Sequence, residues 1–249
     1  MLVLADDDAL RSRIERHLPL GMVGGLVGVP DRVLRINTSP QCMLYAGRRL
    51  VRRSRRIGPI LRALRRQLQI AVARFSREYL FVHAGVVAWR KRAIVIPGRS
   101  FSGKSTLVAA LIDAGACYLS DEFARFDQNG WVHAYPRPLT LRRPEGGRTR
   151  LHIDAAADGC YPVGAVLLTR FVSQRHWDPR SGSLADGVLG LLANTMAARD
   201  TPRRAFEILQ RAAADATILV GERGDATEVS GWLLSGAALQ REGNGGEVR

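Results

Sequence analysis

The sequence predicts an α/β fold: a P-loop domain preceded by a small N-terminal α+β unit. Three observations carry this. A short apolar run, Ala93-Ile-Val-Ile96, leads directly into Gly98-Arg-Ser-Phe-Ser-Gly-Lys-Ser105; helical spacing starts at Lys104; and strand and helix patterns alternate from Leu80 onward. The predicted organisation is an α+β unit over residues 1–79, the P-loop domain over 80–240, and a loose tail over 241–249.

The elements follow from periodicity. Val33-Leu-Arg-Ile36 and Cys42-Met-Leu-Tyr45 flank Asn37-Thr-Ser-Pro40 as a hairpin or small meander, with Arg48 to Arg53 as a further strand. After Gly58-Pro59, apolar residues at 60, 61, 64, 68, 71, 72 and 75 mark one face of a helix, with Arg62, Arg65, Arg66 and Gln69 on the other. Leu80 to Trp89 reads as a strand, Arg90-Lys-Arg92 as a tight turn, and Ala93 to Ile96 as a buried strand. Lys104 to Ala114 is helical, and Cys117-Tyr-Leu119 is a short strand ending at Asp121-Glu122. Trp131 to Tyr135 is a strand ahead of a Pro-rich run, and Val163 to Val172 another. Helices over Leu184–Ala198 and Pro202–Ala214, a strand over Ala216–Val220 and a helix over Thr227–Leu234 complete the pattern.

Bulk properties narrow the class. A hydrophobic share of 46% and a charged share of 24% in 249 residues exclude wholesale disorder. The formal charge of +14 is written almost wholly in arginine, since Lys91 and Lys104 are the only lysines. GC-rich coding, which favours arginine, accounts for most of this; such a field still favours acidic partners such as nucleotides, acidic peptides, nucleic acid or anionic lipid. Cys42, Cys117 and Cys160 form neither a disulfide framework nor a zinc motif. Asp6-Asp7-Asp8 stands where a signal peptide needs cations, and the apolar stretch Leu18–Pro30 is too short to span a bilayer, so a cytoplasmic protein with no membrane span is expected.

Gly98 to Ser105 satisfies GxxxxGK[ST] between a strand and a helix, the context the chemistry requires. Glycines let backbone N–H groups turn towards phosphate oxygens, and the helix N-terminus adds its positive end. Gly98, Arg99, Ser100, Phe101, Ser102, Gly103, Lys104, Ser105 and Thr106 are therefore expected to cradle the phosphates of a nucleoside triphosphate such as ATP. Lys104 would sit on the β- and γ-phosphates, and the Ser105 hydroxyl on Mg²⁺. In a chain that writes nearly every cation as arginine, a lysine stands where a compact ammonium is needed. Asp121-Glu122 follows at a strand's carboxyl end, where one carboxylate could serve Mg²⁺ and another take a proton. His83, by its pattern alone a core histidine, lies on a strand expected to pair with the one entering the loop.

These segments resemble a known family. Phe81-Val-His-Ala-Gly-Val-Val-Ala-Trp89, Ile96-Pro-Gly-Arg-Ser-Phe-Ser-Gly-Lys-Ser-Thr-Leu107 and Gly115-Ala-Cys-Tyr-Leu-Ser-Asp-Glu122 look like the catalytic domain of HPr kinase-related proteins, P-loop serine kinases akin to phosphoenolpyruvate carboxykinases. The resemblance is strong over residues 80–143 and looser over 163–235. It implies ATP and Mg²⁺, with Asp121 as general base, His83 as its partner and Glu122 on the metal side. The family's histidine precedes its first loop glycine by fifteen residues, as His83 precedes Gly98. Where HPr kinases carry Glu-x-Arg-Gly, this chain has Thr140-Leu-Arg142 and then Arg143, a departure that removes a metal-side glutamate and argues against HPr as substrate. The resemblance is closer to HPr kinase-like tailoring enzymes, including those that phosphorylate the C-terminal serine of lasso peptides.

The reaction so implied is transfer of the ATP γ-phosphoryl group to a serine or threonine hydroxyl of a peptide or protein. An arginine of the segment after Tyr135 is expected to stabilise the transferred charge, the candidates being Arg137, Arg142 and Arg143. A small-molecule hydroxyl kinase, and a nucleotide-binding regulatory or ATPase module, are the competing readings. A specific nucleic-acid binder is disfavoured, because no basic motif with interleaved aromatics is present. HPr kinases assemble as hexamers, which keeps a homo-oligomer open for this chain. The acid-free stretch from Arg48 to Arg77 holds eleven arginines, a solvated face or a docking surface for an acidic peptide.

Overall fold

The computed structural model describes residues 1–19, 30, 32–99, 102–135, 139–142, 147–150 and 159–237. They form two compact units, Met1–Phe75 and Ser76–Arg249.

The first unit begins with β1 (Leu2–Ala5) and α1 (Arg11–Glu15), two elements the periodicity did not suggest. It continues with β2 (Val33–Asn37), β3 (Cys42–Ala46), β4 (Arg49–Ser54) and α2 (Ile57–Phe75). The sheet runs β1-β2-β3-β4, with β1 parallel to β2 and the other pairs antiparallel. Alternation sets its faces: Leu34 and Ile36 are buried while Arg35 between them is exposed. They pack with Leu44 against Ile60, Leu61, Leu64 and Leu68 of α2. Phe75, assigned by spacing to the buried face, is half exposed and lies under the Arg32 guanidinium at 4.5 Å.

The second unit opens with β5 (Leu80–Val82), β6 (Ala84–Trp89), β7 (Arg92–Pro97), α3 (Lys104–Asp113) and β8 (Cys117–Ser120). Then follow β9 (Ala124–Phe126), β10 (Val132–His133), β11 (Thr140–Arg142), β12 (Arg148–Arg150), β13 (Cys160–Tyr161), β14 (Val163–Phe171) and β15 (Arg180–Ser181). The last elements are α4 (Leu184–Leu192), α5 (Pro202–Ala214), β16 (Thr217–Arg223) and α6 (Ala226–Trp232).

A mixed six-stranded sheet, ordered β15-β16-β14-β7-β6-β8, is the centre of this unit. Its strands are apolar on both faces, as a sheet covered by helices on both sides requires. Ile94, Ile96, Leu167 and Leu219 pack with Leu107 and Leu111 of α3 and Val229 of α6. Their alternates Val95, Val166 and Ile218 pack with Val188 and Leu191 of α4 and Ile208 and Leu209 of α5. Arg90 and Lys91 take φ of 47° and 59°, so the β6–β7 hairpin closes in a two-residue turn with both central residues left-handed.

Two expected elements are shorter than their patterns. The helix expected over Leu184–Ala198 ends at Leu192, because Asn194 Nδ2 and Thr195 Oγ1 donate to the carbonyls of Gly190 and Leu191. The chain then turns away to pair with the edge of β5, where Asn194 O accepts from His83 N and Met196 N donates to Phe81 O. The strand expected over Trp131–Tyr135 keeps only Val132 and His133 in its ladder. The reading also missed β9, which begins just past Asp121-Glu122.

Candidate functional site

The strand expected from Leu80 to Trp89 breaks at His83. β5 pairs with β9 in a four-stranded sheet, while β6 pairs with β7 and β8 in the six-stranded one. The chain makes the same change of sheet between β8 and β9, across Asp121-Glu122-Phe123. Val82 faces Ala124 in one sheet and Val86 faces Ser120 in the other, so the two crossovers lie side by side. The rings of His83 and Phe123 meet edge to face with centroids 6.0 Å apart. Gly98 N donates to His83 O at 3.2 Å, which brings the start of the Gly-rich loop to the same level. Residues far apart in sequence thus converge where β6, β7 and β8 meet the smaller sheet.

Gly103 sits at the N-terminus of α3 with φ of 81°, a conformation glycine adopts without penalty. Helix α3 approaches the sheet closely: a Cβ on Gly85 would stand 2.6 Å from Val108 Cγ2. Lys104 is buried, and its Nζ donates to the carbonyls of Gly98 at 2.7 Å and Arg99 at 2.8 Å. Burial lowers its pKa from the ordinary lysine value, against the opposing fields of Asp121 and Glu122. Ser105 Oγ donates to Asp121 Oδ2 at 2.9 Å. Loop residue, helix residue and both acids therefore share one electrostatic neighbourhood. Thr106 is exposed one position further along the helix, and Ser102 Oγ is buried without a hydrogen-bond partner among the described residues.

Ser105 and Asp121 offer oxygen donors of the kind Mg²⁺ takes, a hydroxyl and a carboxylate. Among the described residues no group of three or more His, Cys, Asp or Glu could hold a metal by itself.

Ser100, Phe101, Arg137 and Arg143 lie outside the described residues, as does the Arg142 side chain. The backbone of β11, to which Arg142 belongs, runs antiparallel to β12, and Leu139 and Leu141 pack in the same apolar core as α3. One site residue was missed altogether. Arg223, at the end of β16, is fully buried and donates through Nη2 to the carbonyls of Ser102 at 3.3 Å and Gly103 at 2.9 Å. An arginine ending a strand gives no local signal, and thirty-four other arginines hide it.

Beside the loop, a cavity of about 630 Å³ opens at the carboxyl ends of β7, β14 and β16, lined by Pro97, Leu168, Thr169, Arg180 and Asn194 among others. Among the described residues no helix is long and apolar enough to cross a membrane.

No family model matches the chain, and no curated protein matches it. Among solved structures, the HPr(Ser) kinase/phosphatase from Coxiella burnetii aligns with 66% of this chain and 99% of its own, at 17% identity and a TM-score of 0.39.

Proposed function

We propose that this chain is an ATP- and Mg²⁺-dependent phosphotransferase of the HPr kinase-like P-loop type, acting on a serine or threonine hydroxyl of a peptide or protein. The observation that carries the reading is the bond from Ser105 Oγ to Asp121 Oδ2 beside Lys104. It joins the loop serine expected at a metal to an acid sixteen residues away.

In this reading the loop amides and the N-terminus of α3 hold the triphosphate, and Lys104 exchanges the carbonyls of Gly98 and Arg99 for phosphate oxygens. Ser105 and Glu122 would hold Mg²⁺, which would supply charge neutralisation to the triphosphate. The acceptor hydroxyl enters from the cavity beside Pro97. As its oxygen bonds to the γ-phosphorus, the bond to the β–γ bridging oxygen breaks, ADP leaves, and Asp121 accepts the hydroxyl proton. His83 orients that carboxylate, and an arginine of the segment after Tyr135, one of Arg137, Arg142 and Arg143, meets charge on the transferred group. The C-terminal serine of a lasso precursor peptide is one acceptor of this class.

The Ser105–Asp121 bond also favours a second allocation, with Asp121 on the metal side and Glu122 towards the acceptor. The test is label transfer from γ-labelled ATP to pooled serine- and threonine-containing peptides, comparing wild type, D121N and E122Q. A peptide heavier by one phosphate, made by wild type and lost in D121N, supports the kinase reading. Label released only as inorganic phosphate contradicts it and favours an ATPase module.

A further inference from the structure

Arg223 is among the largest side chains of the interior that are fully buried, with 1% of its surface exposed. The Phe171 ring lies 5.9 Å from its guanidinium carbon, and Nε donates to Thr169 Oγ1 at 3.4 Å. Among the described residues its remaining partners are the two loop carbonyls, Ser102 O and Gly103 O. Among the described residues no carboxylate pairs with it. A buried cation without a counter-charge is costly, and carbonyl dipoles offset only part of that cost. Burial accordingly lowers its pKa from the ordinary arginine value, though arginine stays charged throughout the working range. The surroundings of Arg223 therefore call for an anion.

The loop geometry says where that anion belongs. A trans peptide points its C=O and the following N–H in opposite directions. With the carbonyls of Ser102 and Gly103 turned towards Arg223, the N–H groups of Gly103 and Lys104 point away from it. These belong to the start of α3, where helix N–H groups are available to an anion. The residue at 103 must also be glycine for this arrangement, because a Cβ there would stand 2.6 Å from Arg223 Nη2.

We propose that Arg223 is a positioning residue of the phosphate site: it grips the loop from behind, aims the Gly103 and Lys104 amides at the bound phosphates, and has its own charge neutralised by them. The inference rests on the nucleotide reading and adds an arginine that the P-loop pattern does not contain.

The test compares wild type, R223M and R223K by calorimetry with inorganic tripolyphosphate, MgATP and adenosine, alongside thermal unfolding without ligand. R223M should bind tripolyphosphate and MgATP at least about tenfold more weakly, a typical cost of losing a charge-assisted partner. Its unliganded Tm should be unchanged or higher, because an uncompensated buried charge has been removed. R223K, which keeps the charge but not the fork, should fall between the two, and adenosine binding should not differ among the three proteins. R223M binding tripolyphosphate within about twofold of wild type would overturn the proposal, as would R223K binding no better than R223M. A fall in unliganded Tm in both variants with phosphate affinity kept would make Arg223 a structural strut only. Wild type binding tripolyphosphate but not MgATP would remove the nucleotide reading and leave Arg223 to be judged on tripolyphosphate alone. Wild type binding neither would overturn both.

Discussion

Replacing Asp121 by asparagine removes a charge and leaves the shape. The amide oxygen of the new side chain would still accept the Ser105 hydroxyl that Asp121 Oδ2 accepts at 2.9 Å, so the fold and the start of α3 should survive. The charge-assisted part of that bond is worth about 1 kcal/mol, so nucleotide affinity should fall by no more than roughly fivefold. Turnover should fall much further: a positioned base contributes about 10²–10⁴-fold, or roughly 3–5 kcal/mol of barrier. A second consequence is titrimetric. Burial depresses the Lys104 pKa, and the fields of Asp121 and Glu122 hold it up. Without Asp121 only Glu122 opposes the depression, so Lys104 loses its proton at a lower pH. Phosphate binding needs the ammonium form and is lost as pH rises through that pKa. The alkaline limb of MgATP binding should therefore move to lower pH in D121N. Calorimetry across pH and label-transfer rates measure both effects. Turnover within tenfold of wild type would refute the role of Asp121, and an unmoved alkaline limb would refute its coupling to Lys104. Loss of Mg²⁺-dependent binding alone would shift the base role to Glu122.

Two further predictions concern the frame around the site. G103A forces a side chain into a left-handed conformation at φ of 81°, at a cost of about 1–2 kcal/mol, and drives the new Cβ against Arg223 Nη2. Its denaturant midpoint should fall, and any stabilisation by MgATP should vanish with it; a variant stabilised by MgATP as wild type is would contradict the loop geometry. For Asp127, burial would raise the pKa, but the His133 ring at 2.9 Å and the amides of Trp131 and Asn129 outweigh it and hold the carboxyl below its ordinary value. A depressed carboxyl stabilises the fold above its unfolded pKa and loses that contribution as pH falls through the folded one. Wild type should thus lose stability relative to D127N below about pH 4, and parallel acid-unfolding curves would contradict this.

What could be read from the sequence was what repeats at short range. Ile94 and Ile96 alternate with Val95 to announce a buried strand, and residues 60 to 71 mark α2 by helical spacing. The GxxxxGKS motif stood out because its residue types carry their own chemistry. The crossovers were not: the apolar run through His83 is continuous, yet its two halves pair in different sheets, a choice made by β9 and β8 some forty residues away. The early end of α4 likewise depends on Asn194 and Met196 meeting the edge of β5. Arg223 joined the site only through the register of β16 with β14, where it lies opposite Phe171.

The measurement that bears most directly on the central claim is binding of a non-hydrolysable ATP analogue with and without Mg²⁺, in wild type and S105A. The account predicts that wild type binds more tightly with Mg²⁺, and that S105A binds as wild type does without the ion but loses the gain it brings. Wild type that binds no nucleotide, or S105A that shows the full Mg²⁺ gain, would contradict the assignment of Gly98 to Thr106 as a triphosphate loop with Ser105 at its metal.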